Sequence, residues 1–189
     1  MIGKLIQVDS FTISSPVASV TIGGGTSGSS SINFEINTDD VYMVILNDIQ
    51  GATDSESLKV RVTKTDGSGG ATAQSTSNYD YSKKTFRTDN TYSNNTNTDQ
   101  SEVFVNTQLA MGTGTEETLQ GIQYLYSFNN ASENSFVTDE LIFRNYNSGV
   151  LMGGQGGWVY TVAEAHNGLN YFMSSGNLTS GTFTLYKVA

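Results

Sequence analysis

Apolar and polar residues alternate with a period of two along most of this chain, and no other feature constrains its fold as strongly. Successive side chains on a strand point to opposite faces, so alternation marks a half-buried strand, whereas a helix repeats near 3.6 residues. Near the start, Leu5, Gln7, Asp9 and Phe11 fall on one side and Ile6, Val8, Ser10 and Thr12 on the other. The rhythm returns at Ala18 to Ile22, at Ile32, Phe34 and Ile36, at Leu58, Val60 and Val62, and from Tyr79 to Phe86. It continues from Val103 to Leu109, through IQYLYSF (Ile122 to Phe128), and in shorter pieces to Val188. The run VYMVILNDI, beginning at Val41, is almost continuously apolar and predicts a central strand covered on both faces. Helical spacing surfaces only as single turns near Glu116–Leu119 and Val162–Ala165.

Between these segments lie turn signals. Asp66-Gly67 tolerates the positive φ of a tight hairpin. TDNTYSNNTNTDQS, residues 88–101, reads as a polar loop, and Gly153 to Gly157 as a tight bend ahead of Trp158. The sum is eleven to twelve short strands at regular spacing: an all-β chain, a β-sandwich, with a jelly roll as the expected connectivity.

At 189 residues the chain suits one domain. Its single low-complexity stretch is GGGTSGSSS, Gly23 to Ser31. This reads either as a hinge or as a long hairpin loop. The hinge reading divides the chain into an N-terminal strand arm with its hinge (1–31) and a sandwich body (32–189). Leu5, Ile6, Val8 and Phe11 would then be the apolar residues with which the arm grips a neighbour's sheet edge.

Composition narrows the function. Acids outnumber bases 18 to 9 and the net charge is −9, so a phosphate backbone would repel the chain and nucleic acid is not an expected partner. Only 14% of residues are charged, and Ser, Thr, Asn and Gly supply most of the polar surface. Nine Phe and ten Tyr provide a core that a disordered polar tract would lack. There is no cysteine, hence no disulfide framework. The opening MIGKLIQVDSFTI has no apolar stretch long enough for a signal peptide, and no window approaches a membrane span.

Few residues suggest chemistry. The single histidine, His166, sits in AEAHNG and reads as a surface turn residue, and no Gly-x-Ser-x-Gly elbow presents a serine to it. One histidine without cysteine does not make a usual zinc ligand set. Asp39 and Asp40 read as turn residues, and Glu116 and Glu117 as the start of a helical turn; neither is a glycosidase pair. Asp89, Asn90, Asn97 and Asp99 could gather oxygens for calcium but lack the spaced acidic pattern, so a solvated loop is favoured. The glycine runs lack the Gly-Lys-Ser/Thr ending of a phosphate cradle. No cofactor, metal or catalytic residue is expected. Tyr79, Tyr81, Tyr92 and Trp158 stay open between three roles: core packing, interface anchors and a sugar-stacking platform.

The stretches YMVILNDIQGATDSESLKVRV, TSNYDYSKKTFRTD, GTGTEETLQGIQYLYSFNNASENSF and GGQGGWVYTVAEAHNGLNYFMSSGNLTSGTFTLYKV cover most of the chain from Val41 onward. In them the chain resembles a family of small virion structural proteins of tailed phages, especially marine cyanophages and pelagiphages. It departs from that family at Leu185-Tyr186-Lys187, where the family carries Leu-Tyr-Gly, and at Trp158, where the family carries a third glycine. The resemblance implies a non-enzymatic virion component, made in the host cytoplasm and carried on the particle. Its expected partners are other copies of itself, as a trimer, and the major capsid protein or a tail protein. Capsid decoration is the favoured role. A tail- or fibre-associated adsorption protein with a lectin-like surface is the alternative.

Overall fold

A computed structural model describes residues 3–24, 40–106 and 110–189. Thirteen strands form among them: β1 (Leu5–Thr12), β2 (Ser19–Gly23), β3 (Val41–Gly51), β4 (Leu58–Thr65), β5 (Ala71–Ala73), β6 (Tyr79–Arg87) and β7 (Tyr92–Gln100). They continue as β8 (Val103–Phe104), β9 (Leu119–Tyr126), β10 (Ser135–Arg144), β11 (Leu151–Tyr160), β12 (Gly168–Met173) and β13 (Leu178–Val188). No helix occurs among the described residues, so both expected helical turns are absent. The expected strand around Ile32–Ile36 and the hinge beyond Gly24 lie outside the described residues, as do the last residues of the Val103–Leu109 segment.

The strands make two antiparallel sheets. The larger runs β1-β13-β3-β9-β10-β11-β6-β7, and the smaller runs β2-β12-β4-β5 with β8 also on β4. One continuous core fills the space between them, from Val20, Val60, Leu169 and Tyr171 of the smaller sheet to Val44, Leu125, Val137 and Phe183 of the larger. Polar ties cross the gap as well. Tyr79 Oη accepts the Val62 N–H at 3.0 Å and donates to Gln74 O at 2.8 Å, and burial pushes the phenol pKa well up. The β-sandwich expectation holds at this level. The jelly-roll connectivity does not follow, because the sheets are unequal and β9, β10 and β11 run as adjacent hairpins within one of them.

Several segments differ from the reading of the sequence. The expected free arm is the edge strand β1, paired with β13 from Leu5↔Val188 to Thr12↔Thr182. Val8 and Phe11 pack on the core, while Leu5 and Ile6 stay exposed. Asp9 locks the strand in place: it is fully buried, and its carboxylate accepts the Gly23 N–H and the Ser10 N–H, each at 2.8 Å. Lys4 and Ala189 exchange both main-chain hydrogen bonds at 2.8 Å, so the two ends of the described chain lie side by side.

The supposed polar loop at 88–101 is mostly β7, hydrogen-bonded to β6 at the far edge. An edge strand overhanging the core needs backbone pairing, not an apolar face, and alternation of hydrophobicity is blind to it. The glycine run 153–157 does not bend. It is the middle of β11, paired without interruption to β10 on one side and β6 on the other. At Asp66-Gly67 the turn forms as expected: Asp66 N–H donates to Gly70 O at 3.1 Å, with Gly67 and Gly69 at positive φ.

Candidate functional site

The larger sheet has a buried inner face and an outer face of unusual character. Burial alternates along β10 and from Ile122 along β9, and the outward residues are Ile122, Tyr124, Tyr126, Phe136, Thr138, Glu140 and Ile142. Phe136 is 50% exposed, Ile142 43%, and Tyr124 and Tyr126 slightly over a third. Strand register gathers them. Tyr126 faces Phe136, which faces Val159; Tyr186 faces Met43, which faces Tyr124; and Ile45 faces Ile122. Toward one edge the band continues through Val188 to Leu5.

Beyond Phe136, one row on β11, β6 and β7 is small and polar, while farther along the same strands Phe86 and Tyr92, paired in register, are strongly exposed. Gly157, Ser82 and Thr96 succeed one another in register. There a shallow groove of about 820 Å³ runs between Phe136, Thr138, Val159 and Asp80. A Cβ on Gly157 would come within 2.8 Å of the Val137 carbonyl, so the tight sheet geometry itself requires the glycine floor. Chemically this face can bury apolar partner surface and hydrogen-bond at its margin. It presents no convergent acids.

Of the four aromatic candidates, the structure places three inside. Tyr79, Tyr81 and Trp158 are buried, with Tyr79 stacked edge-on against Tyr160 at 4.9 Å and tilted against Trp158 at 6.1 Å. They pack the core and cannot form a surface platform, which corrects that reading. Tyr92 alone is on the surface, 68% exposed, with Lys84 Nζ 4.4 Å from its ring centroid. The calcium candidates do not converge. Asp89 accepts from Arg87 and Thr91, while Asn97 donates to the Tyr81 hydroxyl.

His166 is also corrected: it is buried, not a surface turn residue. Its ring meets Tyr160 edge-on at 4.7 Å, Nδ1 lies 2.8 Å from Ser135 Oγ, and Nε2 lies 3.4 Å from Glu164 Oε1. Burial depresses the imidazole pKa to about 4, against the opposing pull of Glu164. A neutral ring with its proton on Nε2 lets the Ser135 hydroxyl donate to Nδ1; that tautomer is assigned from the partners. Serine, histidine and glutamate in line resemble a hydrolytic triad. With Ser135 and His166 both at zero exposure, however, no substrate reaches the hydroxyl. The cluster is a packed polar joint. Ser135 and His166 are 31 residues apart, and although Glu164 lies beside the histidine in AEAHNG, nothing local there announces the serine.

A second buried cluster went unsignalled in the sequence. Lys83 of β6 and Asp139 of β10 form an ion pair with side chains 1% and 2% exposed. Lys83 Nζ also donates to Phe104 O at 2.8 Å. On the other side of Asp139 stands Gln123 of β9, whose Oε1 accepts the Tyr171 hydroxyl from the smaller sheet. Gln123 is near enough to favour the ionised carboxylate, yet its Nε2 and Asp139 Oδ1 fall outside good hydrogen-bond geometry and lack a full partner. Burial dominates both titrations, lowering the lysine and raising the aspartate. Both move toward the neutral form.

Comparison with protein-family models, with curated proteins and with solved structures finds no match to this chain.

Proposed function

We propose that this chain is a non-enzymatic structural protein of a tailed-phage virion. It decorates the outer capsid shell and is seated there by the aromatic outer face of the larger sheet. The resemblance of the chain from Val41 onward supplies the virion context. One structural observation supports the assembly role: the exposed band built from Tyr124, Tyr126, Phe136, Ile122 and Ile142. Contiguous apolar patches on a soluble surface mark interaction sites, and tyrosine and phenylalanine are enriched at the centres of protein interfaces. The low charge density suits attachment that must survive changes in salt, since few contacts are open to screening.

In this reading the grip belongs to the sheet face, because β1 is already committed to β13. The test is particle incorporation. A folded Tyr124→Asp/Phe136→Asp double variant is expected to be missing from purified virions, and full incorporation would refute the seat. Labelled copies spread over the head support decoration. Label confined to the tail supports the adsorption alternative instead.

A further inference from the structure

We propose that Lys83 and Asp139 condense spontaneously into an intramolecular amide, a covalent rung joining β6 to β10 across the glycine of β11. This inference is independent of the virion reading and rests on the placement of the two side chains.

Three features of the sheet bring them together. Lys83 and Asp139 both lie opposite Gly156 in register, one on each neighbouring strand, and all three positions face the core. A Cβ on Gly156 would fall 2.6 Å from Lys83 Cα and 2.9 Å from Lys83 Cγ, so the missing side chain is what lets the lysine stem cross β11. At the far end Nζ is in direct contact with Oδ2, and both side chains are sealed from solvent. Two reactive groups held this way gain an effective concentration of about 10⁵–10⁸ M over free partners.

The environment sets the required protonation states. A charged ammonium has no lone pair and a carboxylate has no leaving group, but burial drives the lysine down and the aspartate up, toward free amine and carboxylic acid. Phe104 O takes one Nζ hydrogen at 2.8 Å and so orients the nitrogen. Gln123, held by Tyr171 through its own oxygen, places an under-used Nε2–H beside the under-used Oδ1, where negative charge develops during attack.

The step balances without any co-reactant. The Nζ lone pair forms a bond to Cγ, and the carbonyl pair moves to oxygen. As the carbonyl reforms, the Cγ–OH bond breaks with its electrons on oxygen, and a proton from nitrogen joins that hydroxyl. One amide and one water result, with no change of oxidation state.

The full-length protein, purified and denatured, tests this by intact mass. The expected mass is lower than the sequence mass by one water. Proteolysis should then yield a branched peptide carrying Lys83 joined to Asp139. An unmodified mass overturns the proposal and leaves an ordinary buried ion pair. Loss of water traced to cyclisation at Asp66-Gly67, without the branched peptide, overturns it equally. Lys83→Arg keeps the positive charge but removes the nucleophile, and its mass should match its sequence; a water loss persisting in that variant would place the link elsewhere. Asp139→Asn should release ammonia instead and arrive at the same amide.

Discussion

The two faces of the larger sheet contradict the usual division of labour. Its inner face carries a lysine, an aspartate and a glutamine in one row, at Lys83, Asp139 and Gln123. Its outer face carries Tyr124, Tyr126, Phe136, Ile122 and Ile142. These polar groups are tolerated inside because they are paired and partly hydrogen-bonded and because burial moves both titrating members toward the neutral form, although such a pair does not by itself add stability over apolar packing. The residues outside keep between a third and a half of their surface exposed as the single chain stands. The difference teaches that burial in this chain is not assigned by side-chain polarity alone, and that the outer face carries apolar surface its own fold does not use.

Adjacent residues on β9 provide the sharpest way to break this comparison. Leu125 points inward and Tyr124 outward. Leu125→Asp buries an unpaired charge and should cost at least about 4 kcal/mol of folding stability, a large share of what a domain possesses. Chemical denaturation reads it directly. If Leu125→Asp were mild, the core assignment would fail.

The next effect comes from acid. An unfolded imidazole takes its proton near pH 6.5, but His166 in the folded core takes it only near 4. Between those values the unfolded chain binds more protons, so stability is intact above the window and falls as pH drops through it. The loss amounts to roughly 3 kcal/mol once the window is crossed. Denaturant midpoints at neutral pH and near pH 4.5 should show most of this decline, and His166→Gln should lack it.

Smaller in free energy is the outward substitution. Tyr124→Asp should change folding by about 1 kcal/mol or less, while weakening association by about 2 kcal/mol, or roughly 30-fold. Denaturation of the free protein and its titration onto undecorated capsids separate the two. Least of all, Ser82→Lys in the polar row of the same face should leave stability within about 0.5 kcal/mol. A large loss of association there would move the seat from the aromatic band to the groove.

Much of the fold was legible because alternation reports half-burial, and IQYLYSF and VYMVILNDI each became a strand of the larger sheet. What alternation does not report is which side is inside. In SFVTDELIFR both faces mix polar and apolar residues, with Phe136, Thr138, Glu140 and Ile142 on one and Val137, Asp139, Leu141 and Phe143 on the other. Only the neighbouring strands decide. YSNNTNTDQ was unreadable for another reason: its strand is held by main-chain bonds to β6 and buries no residue fully. The run MGGQGGW was misread because glycine suggests a turn, while here it makes space between packed neighbours. The candidate face itself was missed. Its members come from β3, β9, β10 and β13, and it exists only after those strands pair.

The mutual pairing of Lys4 and Ala189 has a practical corollary. A peptide joined at Lys4 or at Ala189 would depart from one corner, beside the exposed Leu5–Val188 rung and thus at the margin of the aromatic band. Cargo displayed at the amino end and cargo displayed at the carboxyl end would therefore compete for the same space. A short linker joining Lys4 to Ala189 would yield a circular permutant, opened at the exposed Asp66–Gly69 turn, whose fusions point elsewhere.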